Sequence, residues 1–304
     1  MNIEKLRILL TIADYGTLTR TAEETGYTQS GISNIIKSLE EDLGFSLLHR
    51  LHRGVALTEE AQRLIPIIRE LDNWSEQLRQ AISEIKGLET GTVRIASVIS
   101  ISISWLPRIM KYFQANYPNI SIKLYVGGDQ EILKWLEEGR VDLVFCCEQP
   151  VMEYDWLSLV CDELVAVLPE DHPLADRETF PLTAFTNMPF VMMPEEYHNE
   201  TKRVFERFGI IPDVQFTATD DHTTIAMVEQ GLGSSMLSKI ILTANTQRRV
   251  KFLELDPPCP RVLGIALRPR LRRSLATEKF IAVSQSIIEG GSKRNSTPPA
   301  EGLS

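Results

Sequence analysis

The sequence has no apolar run long enough to span a bilayer and no basic-apolar leader after Met1. Since a membrane-spanning helix needs about 20 consecutive apolar residues, neither a membrane protein nor a secreted one is indicated. The hydrophobic content of 43% and the charged content of 24% are ordinary for a globular protein. We therefore expect a cytoplasmic protein that has no membrane partner.

Cysteine and histidine are scarce, with 4 and 5 residues in a chain of 304. The cysteines show no metal-ligand spacing, and Cys146 and Cys147 lie in the apolar run VDLVFCC, which predicts a buried strand. Successive strand residues point to opposite faces, so one thiol can line a cavity while the other packs in the core. His49 and His52 have the helical spacing of metal ligands, but no cysteine or acid lies near them. We predict no metal and no cofactor.

Catalytic motifs are also missing, since the sequence contains neither G-x-S-x-G nor a P-loop. The segment GLGSSM has one G-x-G, but it follows a predicted helix rather than a strand and is weak evidence for a phosphate site. A site built from Ser100, His222 and Asp221 stays open, because triads assemble in space rather than along the chain. We predict no catalytic residues and no enzyme.

The most informative stretch covers residues 17–58, TLTRTAEETGYTQSGISNIIKSLEEDLGFSLLHRLHRGVALT. It predicts two short helices that are joined by a tight turn and followed by a basic loop. Thr17 and Thr28 are each placed to cap a helix, because a threonine hydroxyl accepts hydrogen bonds from the free amides of a first turn. Gly26 ends the first helix, since glycine adopts the left-handed conformation that other residues resist.

The second of these helices, predicted over about 29–43, has one apolar face and one polar face. A helix with small polar groups opposite a buried face fits the major groove of DNA. Asparagine and glutamine pair with adenine, whereas Lys37 and Arg53 suit phosphates. The predicted DNA-binding residues of the helix and the loop are Thr28, Gln29, Ser30, Ser33, Asn34, Lys37, Arg50 and Arg53.

Net charge at first argues against DNA binding, since the chain carries −9 and residues 1–60 hold six Lys and Arg against nine Asp and Glu. The acids cluster away from the predicted DNA contacts, whereas the segment from Phe45 to Leu57 contains Arg50 and Arg53 and no acid. DNA responds to a local patch rather than to the total charge. The low total still predicts few phosphate contacts per subunit and modest non-specific affinity.

A long amphipathic helix follows, predicted from Thr58 to about Leu88. Its apolar positions alternate in steps of four and three, the heptad spacing typical of a helix that pairs with a partner. A helix packed on its own domain is the alternative, but a three-helix domain offers too little surface for roughly 45 Å of helix at ~1.5 Å per residue. The predicted dimerisation positions are Leu64, Ile68, Leu71, Leu78, Ile82 and Ile85.

Beyond a glycine hinge at 87–91, short apolar strands alternate with helices, which indicates an α/β architecture with a parallel sheet. The number of strands fits two lobes better than one. The tail GGSKRNSTPPAEGLS lacks apolar periodicity and is predicted to be disordered. The fold class of the whole chain is therefore α+β, with a small helical head before a larger two-lobed domain.

The run TAEETGYTQSGISNIIKSLEEDLG and the following HRLHRGVALTEEAQ resemble the winged helix-turn-helix of the LysR-type transcriptional regulators. The resemblance continues to about Glu289 and covers nearly the whole chain. Four positions depart from the usual pattern, none of them a predicted DNA contact. Thr21 stands in place of alanine, Thr25 of leucine, Leu48 of phenylalanine and Ala61 of glycine.

The resemblance implies a winged helix-turn-helix with a long linker helix, then an effector domain of the two-lobed, type 2 periplasmic-binding-protein-like fold. The implied divisions are 1–58 for the DNA-binding head, 59–88 for the linker, 91–289 for the effector domain and 290–304 for the tail. The chain would cross between lobes near Cys161 and return near Leu267, which gives lobes of about 91–161 with 268–289 and about 162–267.

The resemblance also implies partners. These are double-stranded DNA carrying an interrupted palindrome, a small-molecule effector, RNA polymerase, and further copies of the chain. The family pattern implies a tetramer, whereas the heptad spacing by itself supports only a dimer.

The loop SVISISIS, residues 97–104, is the best candidate for effector binding. It joins a strand to a predicted helix N-terminus, where free amides favour an anion; the alternative is that its serines only cap the helix. In proteins of this fold, such a loop faces residues that follow neighbouring strands. The effector-binding residues predicted on this basis are Ser100, Ser102, Gly128, Cys147, Met193, Asp221 and Thr223. No arginine falls at these positions, which favours a small monoacid or a neutral polar effector.

The predicted function is that of a LysR-type DNA-binding transcriptional regulator, controlled by a small-molecule effector in the cleft of its C-terminal domain. Two other classes stay open. A cytosolic small-molecule-binding protein needs only the two-lobed half, and the predicted head argues against it. A DNA-associated enzyme needs a catalytic constellation that the sequence does not display.

Overall fold

The computed structural model describes residues 2–51, 54–86, 90–149, 154–194, 200–244, 249–269 and 273–295. The chain divides into two compact units. The first, called the head below, is Met1–Leu88 with Glu138–Arg140, and the second, the C-terminal domain, is Glu89–Glu137 with Val141–Ser304. Within the described residues, every helix is too short or too polar to cross a bilayer.

The head contains four helices and a two-stranded antiparallel sheet among its described residues: α1 (Ile3–Tyr15), α2 (Leu18–Thr25), α3 (Gln29–Leu43), β1 (Leu48–Arg50), β2 (Val55–Leu57) and α4 (Glu59–Ile85). The predicted caps are confirmed. The Thr17 hydroxyl accepts from the Arg20 amide at 3.3 Å and the Thr28 hydroxyl from the Gly31 amide at 3.1 Å. Gly26 ends α2 in the left-handed region, with φ of 72°.

The core of the head forms where α1, α3 and the start of α4 meet, around the buried side chains of Leu9, Ile32 and Leu39. Thr21 and Thr25, which depart from the resembled pattern, fit because their hydroxyls donate back along α2. Thr21 donates to the Thr17 carbonyl at 2.8 Å and Thr25 to the Thr21 carbonyl at 2.6 Å. Such back-bonding satisfies a buried hydroxyl without an external partner.

The first three turns of α4 belong to this core, which corrects part of the predicted dimer seam. Ile68 is buried and Leu64 packs against the same cluster. The physical reason is that α1 crosses α4 here, and the ion pairs Arg7–Asp72 at 2.5 Å and Asp14–Arg69 at 2.6 Å hold the two helices together. Heptad spacing alone cannot distinguish a helix face covered by its own domain from one covered by a partner.

The C-terminal domain alternates strands and helices. Its described strands are β3 (Gly91–Ser97), β4 (Ile120–Val126), β5 (Leu143–Cys147), β6 (Asp155–Pro169), β7 (Thr179–Pro181), β8 (Pro189–Met192), β9 (Asp213–Thr217), β10 (Ser235–Ser238) and β11 (Val250–Leu267). Its described helices are α5 (Ile99–Ser104), α6 (Leu106–Asn116), α7 (Asp129–Glu137), α8 (Glu200–Phe208), α9 (Asp221–Glu229) and α10 (Leu275–Asn295).

The main sheet has the order β10-β6-β11-β5-β3-β4, and it is mixed rather than wholly parallel. Strand β3 is parallel to β4 and β5, as predicted, but β11 is antiparallel to both β5 and β6. The long strand β11 pairs with β7 at Glu254–Asp256 and with β5 at Leu263–Ala266. The lobe boundaries near Cys161 and Leu267 stay a prediction.

Two predicted loop segments are helical in the structure. The serine-rich stretch forms the short helix α5, because its alternating isoleucines include Ile101, which is fully buried against the core. Helix α10 continues to Asn295, into the segment 290–304 that was predicted to be disordered. A glycine costs a helix only about 1 kcal/mol, which the other residues of this long helix offset. Residues 296–304 lie outside the described part of the chain.

Candidate nucleic-acid interface and ligand cavity

Helix α3 presents the polar face that the sequence predicts. Its apolar residues Ile32, Ile36 and Leu39 are buried. The side chains of Thr28, Gln29, Ser30, Asn34 and Lys37 are exposed, and Ser33 is half-buried. Lys37 lies 3.9 Å from Glu41 on the next turn. At such exposure this pair holds the lysine only weakly, so Lys37 can contact a phosphate.

The N-terminus of α3 opens onto a concavity of about 650 Å³ that includes part of the wing, here defined as β1, β2 and the turn between them. We call it the polar concavity. It brings together three of the predicted residues, Gln29, Ser30 and Ser33, with side chains that the sequence analysis missed. The whole lining is Thr17, Leu18, Thr19, Gln29, Ser30, Ser33, Leu51, Gly54 and Val55.

A close backbone approach fixes the wing beside the α1–α2 turn. The Val55 amide donates to the Gly16 carbonyl at 3.1 Å. Gly54 has φ of +88°, and a Cβ at this position would lie only 2.7 Å from that carbonyl oxygen. Only glycine satisfies both conditions. The wing and the start of α2 are thereby held together. The predicted contact Arg50 lies in β1, and Arg53 lies outside the described residues.

Several acids of the head are engaged inside the domain. Glu40 accepts hydrogen bonds from the amides of Leu47 and Leu48, at 2.7 and 3.3 Å, and so closes the turn after α3. Asp42 pairs with Lys5 at 3.1 Å. Because the polar concavity contains no carboxylate among its described lining residues, the acidic total of the head does not put negative charge there.

From Ile67 onward, α4 carries an exposed apolar stripe on one of its faces. Leu71, Leu78, Ile82 and Ile85 of the predicted seam are exposed, by between 43% and 86%. Two further residues, Ile67 and Trp74, are exposed by 65% and 51%. Steps of four and three connect Ile67, Leu71, Trp74, Leu78, Ala81 and Ile85, so Trp74 fills the gap between Leu71 and Leu78 that the predicted seam left. We call this set the exposed stripe.

The C-terminal domain contains a cavity of about 190 Å³ at the ends of its strands. It lies beside the N-termini of α5, α7 and α9, and we call it the cleft cavity. Four of the seven predicted effector-binding residues line it: Ser100, Cys147, Met193 and Asp221. Its other lining residues are Val98, Ile99, Val126, Gly127, Asp129, Glu200, Thr219, Asp220, Ser238 and Arg261.

The other three predicted residues are not brought to the cavity. Ser102 donates its hydroxyl to the Ile99 carbonyl at 2.8 Å, which is a contact inside its own short helix. Thr223 donates to the Asp220 carboxylate at 2.7 Å and so belongs to the cap of α9. At the turn before α7 the lining residue is Gly127, not Gly128. The ligand-binding roles of all seven stay predictions.

The premise that no arginine reaches the cavity is wrong. Arg261, on β11, lines it and has a side chain that is only 6% exposed. Its Nε donates to Asp162 at 2.9 Å, and its Nη1 lies 3.6 Å from Glu200. Burial alone would lower the pKa of this guanidinium, but Glu200 and Asp162 outweigh it and raise the pKa above its ordinary value.

The buried thiol of Cys147 adds a neutral surface to the cavity. Burial, together with the carboxylate of Glu200, raises the pKa of the Cys147 thiol well above its ordinary range. Burial and the carboxylates of Asp129 and Glu200 do the same for Cys146. Because the thiolate is the nucleophilic form, a raised pKa makes both thiols less nucleophilic. The expectation that one of the two lines a cavity is confirmed for Cys147.

The missed residues differ in how far the sequence could have indicated them. Asp129 follows the turn GG at the start of a predicted helix, and acids are favoured there. Arg261 directly precedes the apolar run VLGIAL, and a charge in a buried strand needs a partner. Neither pattern indicates which charges meet, because Asp162, Glu200 and Arg261 come from distant parts of the chain.

The described geometry does not support a catalytic or a metal site. Ser100 and Asp221 line the cleft cavity, but His222 is not among its described lining residues. In the part of the chain that the structure describes, no group of three or more His, Cys, Asp or Glu is arranged to hold a metal ion. His52 lies outside the described residues, so the prediction that His49 and His52 bind no metal stays a prediction.

Comparison with known proteins agrees with this architecture. Residues 3–62 match the family model described as bacterial regulatory helix-turn-helix protein, lysR family, and residues 86–286 match the LysR substrate binding domain. An uncharacterised HTH-type transcriptional regulator of Bacillus subtilis, YvbU, is 28% identical over 290 residues, which are 95% of this chain and 99% of that one.

Solved structures share the fold over nearly the whole length. A full-length OxyR variant from Pseudomonas aeruginosa matches with a TM-score of 0.71 and 20% identity, covering 95% of each chain. Full-length CbnR, solved in complex with its target DNA, matches with a TM-score of 0.66 and 16% identity, covering 94% of this chain and 99% of that one.

Proposed function

The chain belongs to the LysR family of DNA-binding transcriptional regulators, and from that premise we propose how it performs its function. Two copies pair through the exposed stripes of their α4 helices and bind an interrupted palindrome with their two heads. A small molecule in the cleft cavity changes the arrangement of the lobes and thereby the binding. The polar concavity, in which the start of α3 meets the wing, is the observation that carries this proposal.

The stripe supports pairing because isolated apolar helices are not left in water. Leu78 and Trp74 are more than half exposed in the single chain, and a partner helix would cover them. Pairing also compensates for the small number of cations in one head, since two heads make twice as many phosphate contacts. Assembly to a tetramer, contact with RNA polymerase and location in the cytoplasm are parts of the same proposal that rest on the family alone.

Control by the cleft cavity follows from linkage. A ligand shifts an equilibrium between two arrangements only by its difference in affinity for them. Residues that are distant along the chain line the cavity, among them Ser100 after β3 and Asp221 on α9. A ligand that contacts both binds one arrangement of these elements better than another. Gene regulation, rather than catalysis, is the outcome that this arrangement serves.

Footprinting on the promoter region beside the protein's own gene tests the proposal. We expect one protected, interrupted palindrome. Asn34→Ala should weaken operator binding by about 1–3 kcal/mol with little effect on random duplex, because a base contact carries sequence information. Arg53→Ala should weaken both, because a phosphate contact does not. The absence of any protected palindrome, with or without cell extract as a source of effector, would overturn the proposal.

A further inference from the structure

A second cavity of the C-terminal domain lies between the helices α6 and α10. It has a volume of about 520 Å³, and we call it the helix groove. It shares no described lining residue with the cleft cavity, so a molecule bound in the helix groove would be additional to an effector in the cleft cavity. Its volume falls within the range of roughly 300–1,000 Å³ that is typical of small-molecule sites.

One face of α6 forms the first wall of the helix groove and supplies its cations. The wall consists of Arg108, Lys111, Tyr112 and Ala115. Arg108 and Ala115 are seven positions apart, which is about two turns, so the four side chains share one face of the helix. All four are exposed, and the Tyr112 ring is exposed by 53%. The positive charges and an aromatic surface are therefore available to a ligand at the same place.

Short side chains on α10 leave the space between the two helices open. Helices α6 and α10 pack against each other through Phe113 and Phe280, whose ring centroids are 5.1 Å apart. Along the groove α10 presents Ser286 and Gly290. A Cβ added to Gly290 would meet no neighbouring atom within 4 Å. The helix groove thus results from small residues on a packed pair of helices.

The two cations of the helix groove have no protein partner in the described part of the chain. Within those residues, neither the Arg108 guanidinium nor the Lys111 ammonium takes part in an ion pair or a side-chain hydrogen bond. Elsewhere in the domain cations are paired, as Arg94 is with Asp142 at 2.7 Å. No acid is among the described residues of the groove lining, although the chain as a whole carries −9. The groove is therefore a local positive patch, which attracts anions.

The chemistry of the lining indicates which anion fits. A guanidinium binds a carboxylate through two parallel hydrogen bonds, and an ammonium adds a point charge. The half-exposed ring of Tyr112 and the half-buried side chain of Ile287 provide apolar surface beside these charges. Aromatic rings pack on such a surface in offset or edge-to-face contact. A molecule with a carboxylate at one end and a ring at the other satisfies both parts of the lining.

We propose that the helix groove is a second ligand site and that it binds aromatic carboxylates. The carboxylate pairs with Arg108 and Lys111, and the ring lies against Tyr112 and Ile287. Because such a ligand contacts α6 and α10 together, it stabilises the packing of these two helices. The site requires neither DNA nor an occupied cleft cavity, so it stands apart from the proposed function.

Three probes separate the charge from the ring. 2-Naphthoate has both, 2-naphthamide has the ring without the charge, and acetate has the charge without the ring. Isothermal titration calorimetry of the purified full-length protein measures their dissociation constants. We expect naphthoate to bind at least tenfold more tightly than either of the others, and more weakly as salt is added, because salt screens exposed charges. Equal affinity for naphthoate and naphthamide, or no binding of naphthoate, would overturn the proposal.

Two charge-removing variants locate the bound probe. Arg108→Gln and Lys111→Gln should each weaken naphthoate binding at least fivefold and leave naphthamide binding unchanged. Arg177→Gln is the matched control, because Arg177 is an exposed arginine outside the groove lining. All three residues are exposed, so we expect each variant to fold, and an unchanged Tm checks this. Naphthoate affinity that is equal in wild type and both groove variants would place the probe elsewhere and overturn the proposal.

Tyr112→Ser tests the position of the ring. It should weaken naphthoate binding at least threefold without changing the salt dependence, because it removes apolar contact and no charge. Acetate binding should not change. Unchanged affinity for naphthoate in this variant would overturn the assignment of the groove to aromatic carboxylates.

Discussion

In the head, carboxylates pair with cations, and none of the described residues that line the polar concavity is an acid, whereas in the C-terminal domain carboxylates line the cavity itself. The head pairs Asp14 with Arg69 and Asp42 with Lys5. The C-terminal domain buries Asp129 and the Asp162–Arg261 pair. A long polyanion such as DNA needs a contact surface without negative charge. A small ligand can be selected by the charges that enclose it.

This difference indicates where each region obtains its selectivity. The head presents small polar groups whose hydrogen bonds depend on position, so backbone contacts such as Val55 to Gly16 matter there. The cleft cavity presents buried charges whose field depends on balance, so the loss of one charge matters there. The four predictions below test this contrast, beginning with the largest expected effect.

Arg261→Met should lower the free energy of unfolding of the C-terminal domain by about 3–5 kcal/mol, because Asp162 and Glu200 would lose their shared cation in the interior. Urea denaturation, followed by tryptophan fluorescence in a Trp74→Phe background, measures it. Arg273→Met is the control. It removes a pair of equal length, 2.9 Å to Asp155, but at the surface, and should change stability by less than about 1 kcal/mol. Similar losses for both variants would contradict the balance argument.

Leu78→Ala should weaken the dimer, since each chain would lose about 1.5–3 kcal/mol of apolar burial at the proposed interface. Sedimentation equilibrium of the purified protein measures the dissociation constant. Arg79→Ala is the matched control. The Arg79 side chain lies next to Leu78 but outside the exposed stripe, and its contacts are a surface ion pair with Glu76 at 3.2 Å and a hydrogen bond to the Ser75 carbonyl at 3.4 Å. A dimer insensitive to Leu78→Ala, or equally sensitive to Arg79→Ala, would remove the stripe from the interface.

Gly54→Ala should destabilise the head by about 1–3 kcal/mol, because the new Cβ meets the Gly16 carbonyl and φ is positive. Operator affinity should fall with it, since the wing must move. Gly26→Ala provides the comparison, having a similar φ of +72° but open space around the added atom. Thermal unfolding and operator titration measure both. A loss in Gly26→Ala as large as that in Gly54→Ala would show that strain alone, and not the contact, is responsible.

Asp220→Asn should give the smallest effect, a small loss of stability that depends on pH. Burial raises the pKa of Asp220, but the hydrogen bonds from Thr223 lower it by a larger amount, so the net shift is downward. A carboxyl of this kind stabilises the fold above its unfolded pKa of about 3.9 and loses that contribution as pH falls through the lower folded value. Asparagine caps a helix without titrating.

The difference in Tm between wild type and Asp220→Asn should therefore be constant at neutral pH and should diminish as pH falls below about 4. Differential scanning calorimetry across that range measures it. A difference that does not change with pH would mean that the Asp220 charge contributes nothing to the cap of α9.

Helices α2 and α3 of the head could be predicted closely, because local signals determine them. Thr17 and Thr28 cap, Gly26 terminates, and apolar spacing defines the buried face of α3. The dimer seam was only partly predictable. Whether Leu64 and Ile68 face the same chain or a partner depends on where α1 crosses, and no local pattern contains that information. Trp74 was overlooked because the predicted seam includes Ile68, whereas the exposed stripe includes its neighbour Ile67.

The cavity was predictable in position but not in charge. Residues after successive parallel strands meet at one edge of a sheet, which is why Ser100 and Cys147 were identified correctly as lining. Arg261 enters from a strand that runs antiparallel to β5. A prediction based on a wholly parallel sheet therefore could not place it there. The serine-rich loop was misjudged because the buried side chain of Ile101 favours a helix there over an open anion-binding turn.

The position of Leu64 and Ile68 in the core of the head has a mechanical consequence. With its first turns anchored there, α4 cannot rotate about its own axis without the head following. The crossing angle of two paired α4 helices would then determine the angular offset between two reading helices on DNA. A substitution that shifts the register of the exposed stripe would change the angular offset between the two DNA-binding helices. It would alter which spacing of half-sites the dimer accepts, while every base contact stayed the same.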